Sequence, residues 1–262
     1  MTDRPHGDDW WQGPDGRWYP PENRPDTGGS TTRRDAAPSP DAHRSLTIAT
    51  TAALAASAAT GAAGALGFMA ESGGFEPDEI AAAADPVAAL GSASVPLTLW
   101  TVAAASSVVL LIIWMYRSYR RAEDRGAEGT TWSAGWAVGG WLIPLAAFVI
   151  PKLVLNEIDR MTHPGTGAPP IEERWKGLPT LMWGHWWWAL TLTSTVVLVL
   201  GLGAVAEQID SFTMVEQTYR AGLQTTAAGL ALWAGSSTAG AVMVWRIGGR
   251  LSRKRPGGKA TG

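Results

Sequence analysis

The chain contains no cysteine. Disulfides, thiolate nucleophiles and cysteine metal clusters are therefore excluded together. Its histidines, His6, His43, His163 and His185, lack metal-ligand spacing, so no metal or other cofactor is expected. Charge is missing over long stretches. Residues 45–70, 86–116, 129–151, 177–206 and 221–245 hold no Asp, Glu, Lys or Arg. An apolar run of about 18 residues or more is the length signal of a membrane helix. Five such runs in 262 residues leave no partner surface that could bury them all in a water-soluble fold. A net charge of −2 offers no basic field for nucleic acid. No apolar segment lies near Met1, and Arg33-Arg34 precedes none, so neither a cleaved signal peptide nor a twin-arginine signal is expected.

What the chain has in excess is tryptophan, 15 residues, most of them near the ends of the apolar runs. An indole is apolar yet carries an N–H that needs a partner, which suits the membrane–water interface. Arg dominates over Lys, and Ala and Gly abound, a bias of GC-rich bacterial genomes. Residues 1–44 nearly lack aliphatic side chains and are expected to form a disordered tail. An island at 9–21 differs: Asp15-Gly16 is a hairpin-turn dipeptide flanked by Trp10, Trp11, Trp18 and Tyr19. It reads as a small Trp-stapled hairpin or an interface-seeking patch, with a peptide-recognition module as the alternative. A helical domain is expected over 45–245, followed by a basic tail over 246–262.

Spans are predicted at 46–69, 95–116, 181–206 and 222–245. The first is poor in Leu and carries two rows at i+4 steps. One is Ala49, Ala53, Ser57, Gly61 and Ala65; the other is Ala52, Ala56, Thr60 and Gly64. Small residues let helix backbones approach closely, so these rows predict packing inside the bundle, or association with a second copy or another membrane protein. The run at 132–151 is unlike the others. It holds Gly135, Gly139, Gly140, Pro144 and Pro151 beside Trp132, Trp136 and Trp141. Proline removes a donor and glycine loosens a helix, so one straight spanning helix is a poor reading. Residues 152–161 continue as an amphipathic segment with Val154, Ile158 and Met161 on one side.

Counting Lys and Arg near the membrane tests the crossing number, because these residues collect on the cytoplasmic side. If all five runs cross, the two sides receive eight and ten basic residues. If 132–151 enters and leaves on one side, they receive seventeen and one. The second arrangement predicts four crossings in an all-α bundle, both termini in the cytoplasm, and one re-entrant or interfacial element. Irregular backbone at membrane depth needs protein or water around it, so that element is expected to be walled by the crossing helices.

Residues in the middle of the chain carry a family pattern. Trp114-Met-Tyr-Arg117 and Trp132-Ser-Ala-Gly-Trp136-Ala-Val-Gly139-Gly140-Trp141-Leu-Ile-Pro144 resemble an actinobacterial membrane family catalogued as domain of unknown function 4328. Pro151, Asn156-Glu157-Ile158 and Trp186-Trp187-Trp188 fit the same pattern, and coverage runs over roughly 95–205. Arg121 and Ala147 depart from it, standing where the family carries Asn. The N-terminal island resembles a short Trp-rich module found ahead of membrane segments in actinobacterial proteins. The resemblance implies a polytopic membrane domain and brings no assigned activity.

Chemistry-bearing motifs are scarce. Gly201-Leu-Gly203-Ala-Val-Ala206 spells a dinucleotide fingerprint, but it lies inside an apolar helix rather than after a strand, so it reads as helix packing. The spans hold no ionisable group except His185 near an end, beside Trp186, Trp187 and Trp188, which argues against proton-coupled transport. The charges at Arg117 to Arg125, Glu157, Asp159, Glu172 and Glu173 read as a solvated positive-inside loop more simply than as an enzyme's head-group site. The expected protein is a non-enzymatic scaffold of the bacterial cytoplasmic membrane, with lipids and other membrane proteins as partners. The alternative is a small-solute permease built on the broken run. In either reading the candidate functional element comprises Arg117, Trp132, Trp136, Gly139, Gly140, Trp141, Pro144 and Pro151.

Overall fold

The computed structural model describes residues 11–12, 18–19, 40–74, 94–166, 174–210 and 216–253. In the N-terminal unit, β1 (Trp11–Gln12) pairs antiparallel with β2 (Trp18–Tyr19), placing Trp11 opposite Tyr19 and Gln12 opposite Trp18. This is the pairing a hairpin over the island requires. Trp10, the Asp15-Gly16 turn and the tail at 20–39 lie outside the described residues.

The second unit is helical: α1 (Pro40–Gly73), α2 (Ser94–Glu123), α3 (Trp136–Leu142), α4 (Ile150–Met161), α5 (Met182–Asp210) and α6 (Glu216–Ser252). Among the described residues, 3-10 turns at Ala146–Phe148, Pro164–Thr166 and Arg174–Gly177 lie between α3 and α5. Among the described residues four helices, α1, α2, α5 and α6, are long and apolar enough to cross a membrane, as a polytopic membrane protein requires. Each outruns its predicted span, because only the apolar core of a helix is limited by bilayer thickness. Thus α1 starts at Pro40, which suits a first helical position, with Asp41 in its first turn. Likewise α2 continues through Arg117, Arg120 and Arg121, so most of that basic cluster is helical rather than loop.

Helix α6 is the central element and packs extensively on both α1 and α5. The buried side of α1 is His43, Thr47, Thr50, Leu54, Ser57, Gly61, Gly64, Phe68 and Ser72. As far as Phe68 these steps alternate between four and three, a 3.5-residue seam of the left-handed coiled-coil kind. Neither predicted i+4 row is that seam. It takes Ser57 and Gly61 from one row and Gly64 from the other, and it leaves Ala49, Ala52 and Ala56 exposed. An i+4 row winds away from a partner helix, whereas a 3.5-residue row follows it.

Hydroxyls and indoles reinforce the seams. Trp233 donates Nε1 to Ser57 Oγ at 2.9 Å, Trp114 donates Nε1 to Thr47 Oγ1 at 3.1 Å, and Thr191 and Ser236 share a 2.6 Å bond. Trp114 and Trp187 are therefore core residues, at variance with a purely interfacial role for tryptophan. Close backbone approach is real at Gly201, where a β-carbon would sit 2.5 Å from the Thr226 amide nitrogen. Gly203 faces open space. The fingerprint-like glycines thus serve helix packing at one position and nothing at the other.

Residues 132–151 do not form one helix. After α3 the chain turns at Pro144, with Ile143 extended at φ −95° and ψ 114°, the region left to a residue that precedes proline. Pro151 sits in the first turn of α4, where its missing N–H costs nothing. Gly140 lets the two arms close, since a β-carbon there would lie 2.7 Å from Ile150 Cγ2. The element is not walled on every side as expected. It packs mainly on α2 and α4, while Leu142, Leu145 and Phe148 are 76%, 84% and 57% exposed. Its short helical turns satisfy much of the backbone locally, so an apolar outer face can be left uncovered.

Candidate functional site

The site grows from α4. This helix has the predicted apolar side, with Val154, Leu155, Ile158 and Met161 buried. It also buries two carboxylates, Glu157 and Asp159, at 5% and 3% exposure. A buried carboxylate needs donors on its oxygens, and both have them.

Glu157 receives the Thr131 amide on Oε1 at 2.6 Å and the Trp132 amide on Oε2 at 3.2 Å. The Tyr119 hydroxyl donates to Oε2 at 2.8 Å and also lies within reach of the Trp132 carbonyl; its one proton serves one acceptor at a time. One side chain therefore holds the end of α2, the start of the Trp-rich element, and the helix that follows it.

Asp159 ties α4 to two further spans, α5 and α6. It accepts the Leu181 amide at the N-terminus of α5, where a negative charge also meets the positive end of the helix dipole. Its second oxygen pairs with Arg250 near the end of α6, at 2.8 Å. The opposite polarity is met nearby. Arg121 donates Nε to the Leu251 carbonyl at 3.1 Å, and Arg125 donates to the carbonyls of Arg250, Leu251 and Arg253. The carbonyls of Arg250 and Leu251 belong to the last turn of α6 and that of Arg253 lies just beyond it, where the helix offers carbonyls no partner and cations are favoured. The departure of Arg121 from the family's Asn thus has a structural use. Ala147, the other departure, lies in the 3-10 turn after Pro144.

Lys152 opens the polar side of α4. It donates to Asn156 Oδ1 at 2.5 Å. Burial brings its ammonium down to about 8, Arg160 adds to the fall, and Asp159 opposes it. Beside Glu157 an open cavity of about 340 Å³ is lined by residues of the Trp132 turn, α4 and the Arg174–Gly177 turn.

The structure gathers only some of the predicted residues. Trp132 and Trp136 stack edge to face at 5.6 Å, and Trp141 meets Trp188 at 6.3 Å. Gly140 and Pro151 are packed, whereas Gly139 meets nothing and Pro144 is exposed. Arg117 is exposed and stands apart; Tyr119, two residues later, makes the contact to the element. The His185 cluster divides. Trp187 is buried at 3% exposure against α6, Trp186 points outward at 56%, and His185 shares a 2.9 Å bond with Thr180 at the surface. Of the island, the backbones of Trp11, Trp18 and Tyr19 are placed in the hairpin.

Residue-by-residue reading missed the two carboxylates as organising groups. The signal available was Asn156-Glu157-Ile158, an acid inside a family-like motif, on a helix otherwise bounded by basic residues. A family model described as Domain of unknown function (DUF4328) matches residues 77–249, a wider stretch than the motifs cover and one that includes α6. No curated protein and no solved structure matches the chain.

Proposed function

The chain belongs to the DUF4328 family, and on that premise we propose that it is a non-enzymatic scaffold of the bacterial cytoplasmic membrane. In this reading four helices cross, both termini are cytoplasmic, and residues 132–151 dip into the inner leaflet and return. The observation that carries it is the Glu157 junction, because the amides of Thr131 and Trp132 bind a residue beyond the far end of the element. Entry and exit are thereby held at one place. The uncovered apolar face of Leu142, Leu145 and Phe148 is what a lipid-facing loop needs. The seventeen-to-one division of basic residues supports the same orientation.

The scaffold is favoured over the permease by packing. Interhelical space between α5 and α6 is closed by contacts such as Gly201 on Thr226 and Gly240 on Trp187. The broken element lies beside α2 with one face outward, which does not place it along a central passage.

The absence of cysteine makes a direct test possible, since any introduced thiol is unique. Gly165→Cys and Ser252→Cys are expected to resist a membrane-impermeant maleimide on intact cells, while Gly74→Cys reacts. External labelling at Gly165 would sink this topology. Proximity labelling from the N-terminal tail then tests the scaffold: Trp10→Ala with Trp11→Ala is expected to lose neighbours. An unchanged neighbour set, with solute leakage altered by Pro144→Leu, would favour the permease.

A further inference from the structure

The cavity beside Glu157 has a one-sided chemistry. Its rim comprises Thr131, Trp132, Asn156, Arg160, Trp175 and Lys176. Glu157 also lines it, but its oxygens already receive two amides and the Tyr119 hydroxyl. Asn156 spends its oxygen on Lys152, so the group it has left to offer is its NH2 donor. Arg160 is half-buried, and its Nε is buried with no hydrogen-bond partner among the described residues. The Lys176 ammonium lies 5.9 Å over the Trp175 ring. The cavity therefore presents donors and two cations. Cationic groups and N–H donors gathered around one open space suit a group with several anionic oxygens.

The flank of the cavity is apolar. Leu153 lines it at 40% exposure and continues the outward face through Val149, Phe148 and Leu145. A free phosphate would use only the donors; a phospholipid would use both surfaces. We infer that this cavity binds the phosphate of an anionic phospholipid head group, with the acyl chains lying along the outward face of residues 145–153. The inference rests on the proposed placement of that element in the inner leaflet. Phosphate is the chemistry that lipid and free anion share, and the apolar flank selects the lipid.

The test uses the full-length protein in mild detergent and native mass spectrometry, with dioleoyl phosphatidylglycerol and dioleoyl phosphatidylcholine offered at equal concentration. Wild type is expected to retain phosphatidylglycerol preferentially. R160Q/K176Q is expected to lose roughly tenfold in that preference, the scale of one charge-assisted contact. The control R120Q/R246Q removes the same charge from exposed positions outside the cavity and is expected to leave the preference nearly intact. Equal loss in both doubles, or none in R160Q/K176Q, overturns the site. Because Arg160 is half-buried, K176E at an exposed position supplies a variant that spares the core, and unchanged retention there also overturns it. Millimolar inorganic phosphate is expected not to displace the lipid; displacement assigns the cavity to a free anion and overturns the lipid source. Thiol labelling at Gly165→Cys reads the membrane placement separately. Outward labelling with lipid preference intact breaks the topology, whereas inward labelling with no preference breaks only the lipid site.

Discussion

The two halves of this molecule hold together by different means. Along the α1–α6 and α5–α6 seams, cohesion comes from small residues and hydroxyls: Gly61, Gly64, Gly201, Ser57, Ser236 and Thr226. At the end where α4 lies, it comes from two buried carboxylates and three arginines. The difference follows from the surroundings. Between spans, lipid is as apolar as any side chain, so helices gain only from close contact and a few hydrogen bonds. Where the long helices end and the chain turns, helix ends expose amides and carbonyls, and charged groups can reach them. Space filling governs the first region and donor–acceptor matching the second.

The sharpest way to break that contrast is Glu157→Ala. The amides of Thr131 and Trp132 lose their acceptor, each costing about 1–3 kcal/mol when buried, while the Tyr119 hydroxyl is left with the Trp132 carbonyl. We expect a loss of roughly 3–5 kcal/mol, seen as an apparent Tm lower by on the order of 10 °C, with increased proteolysis around residue 132. A loss no larger than that of a surface substitution would remove the carboxylate from its organising place.

A paired glycine experiment probes the other region at somewhat smaller magnitude. Gly201→Val drives a side chain into the Thr226 backbone and is expected to cost about 1–3 kcal/mol, while Gly203→Val, facing open space, costs close to nothing. Thermal unfolding of the two variants in the same detergent decides this. Equal effects would mean that the α5–α6 approach is looser than its geometry.

The smallest effect is a slope. The Lys152 ammonium is held at about 8 by burial, against about 10.4 for an unfolded lysine. Between these values the unfolded chain binds more protons, so stability rises with pH across that window, and the full penalty applies below about 8. Lys152→Met is expected to flatten the rise in Tm between about pH 8 and pH 10 relative to wild type. An identical slope in both proteins would refute the assignment.

The contrast also explains what was legible in the sequence. Four spans and one broken run could be read from charge-free length and from Pro144 and Pro151, because bilayer thickness and backbone chemistry act locally. The seam on α1 could be read only by kind: small residues were visible, but the choice between i+4 rows and the 3.5-residue row depends on the partner helix. Glu157 and Asp159 were read as members of a solvated charge cluster. Their partners lie 26 residues before and 91 residues after them, at Thr131 and Arg250, and no local period encodes such pairs.

The order in which the helices are made differs from the order in which they touch. Ser57 of α1 bonds Trp233 of α6, 176 residues later. Helix α1 thus meets its principal neighbour only once α6 has been made. Until then the polar atoms of its seam face lipid or α2, and Arg121 and Arg125 have no helix end to hold. Synthesis of α6 is therefore the event that closes the α1 seam. A chain shortened before residue 216 would leave the indole-accepting hydroxyl of Ser57 without its partner on α6.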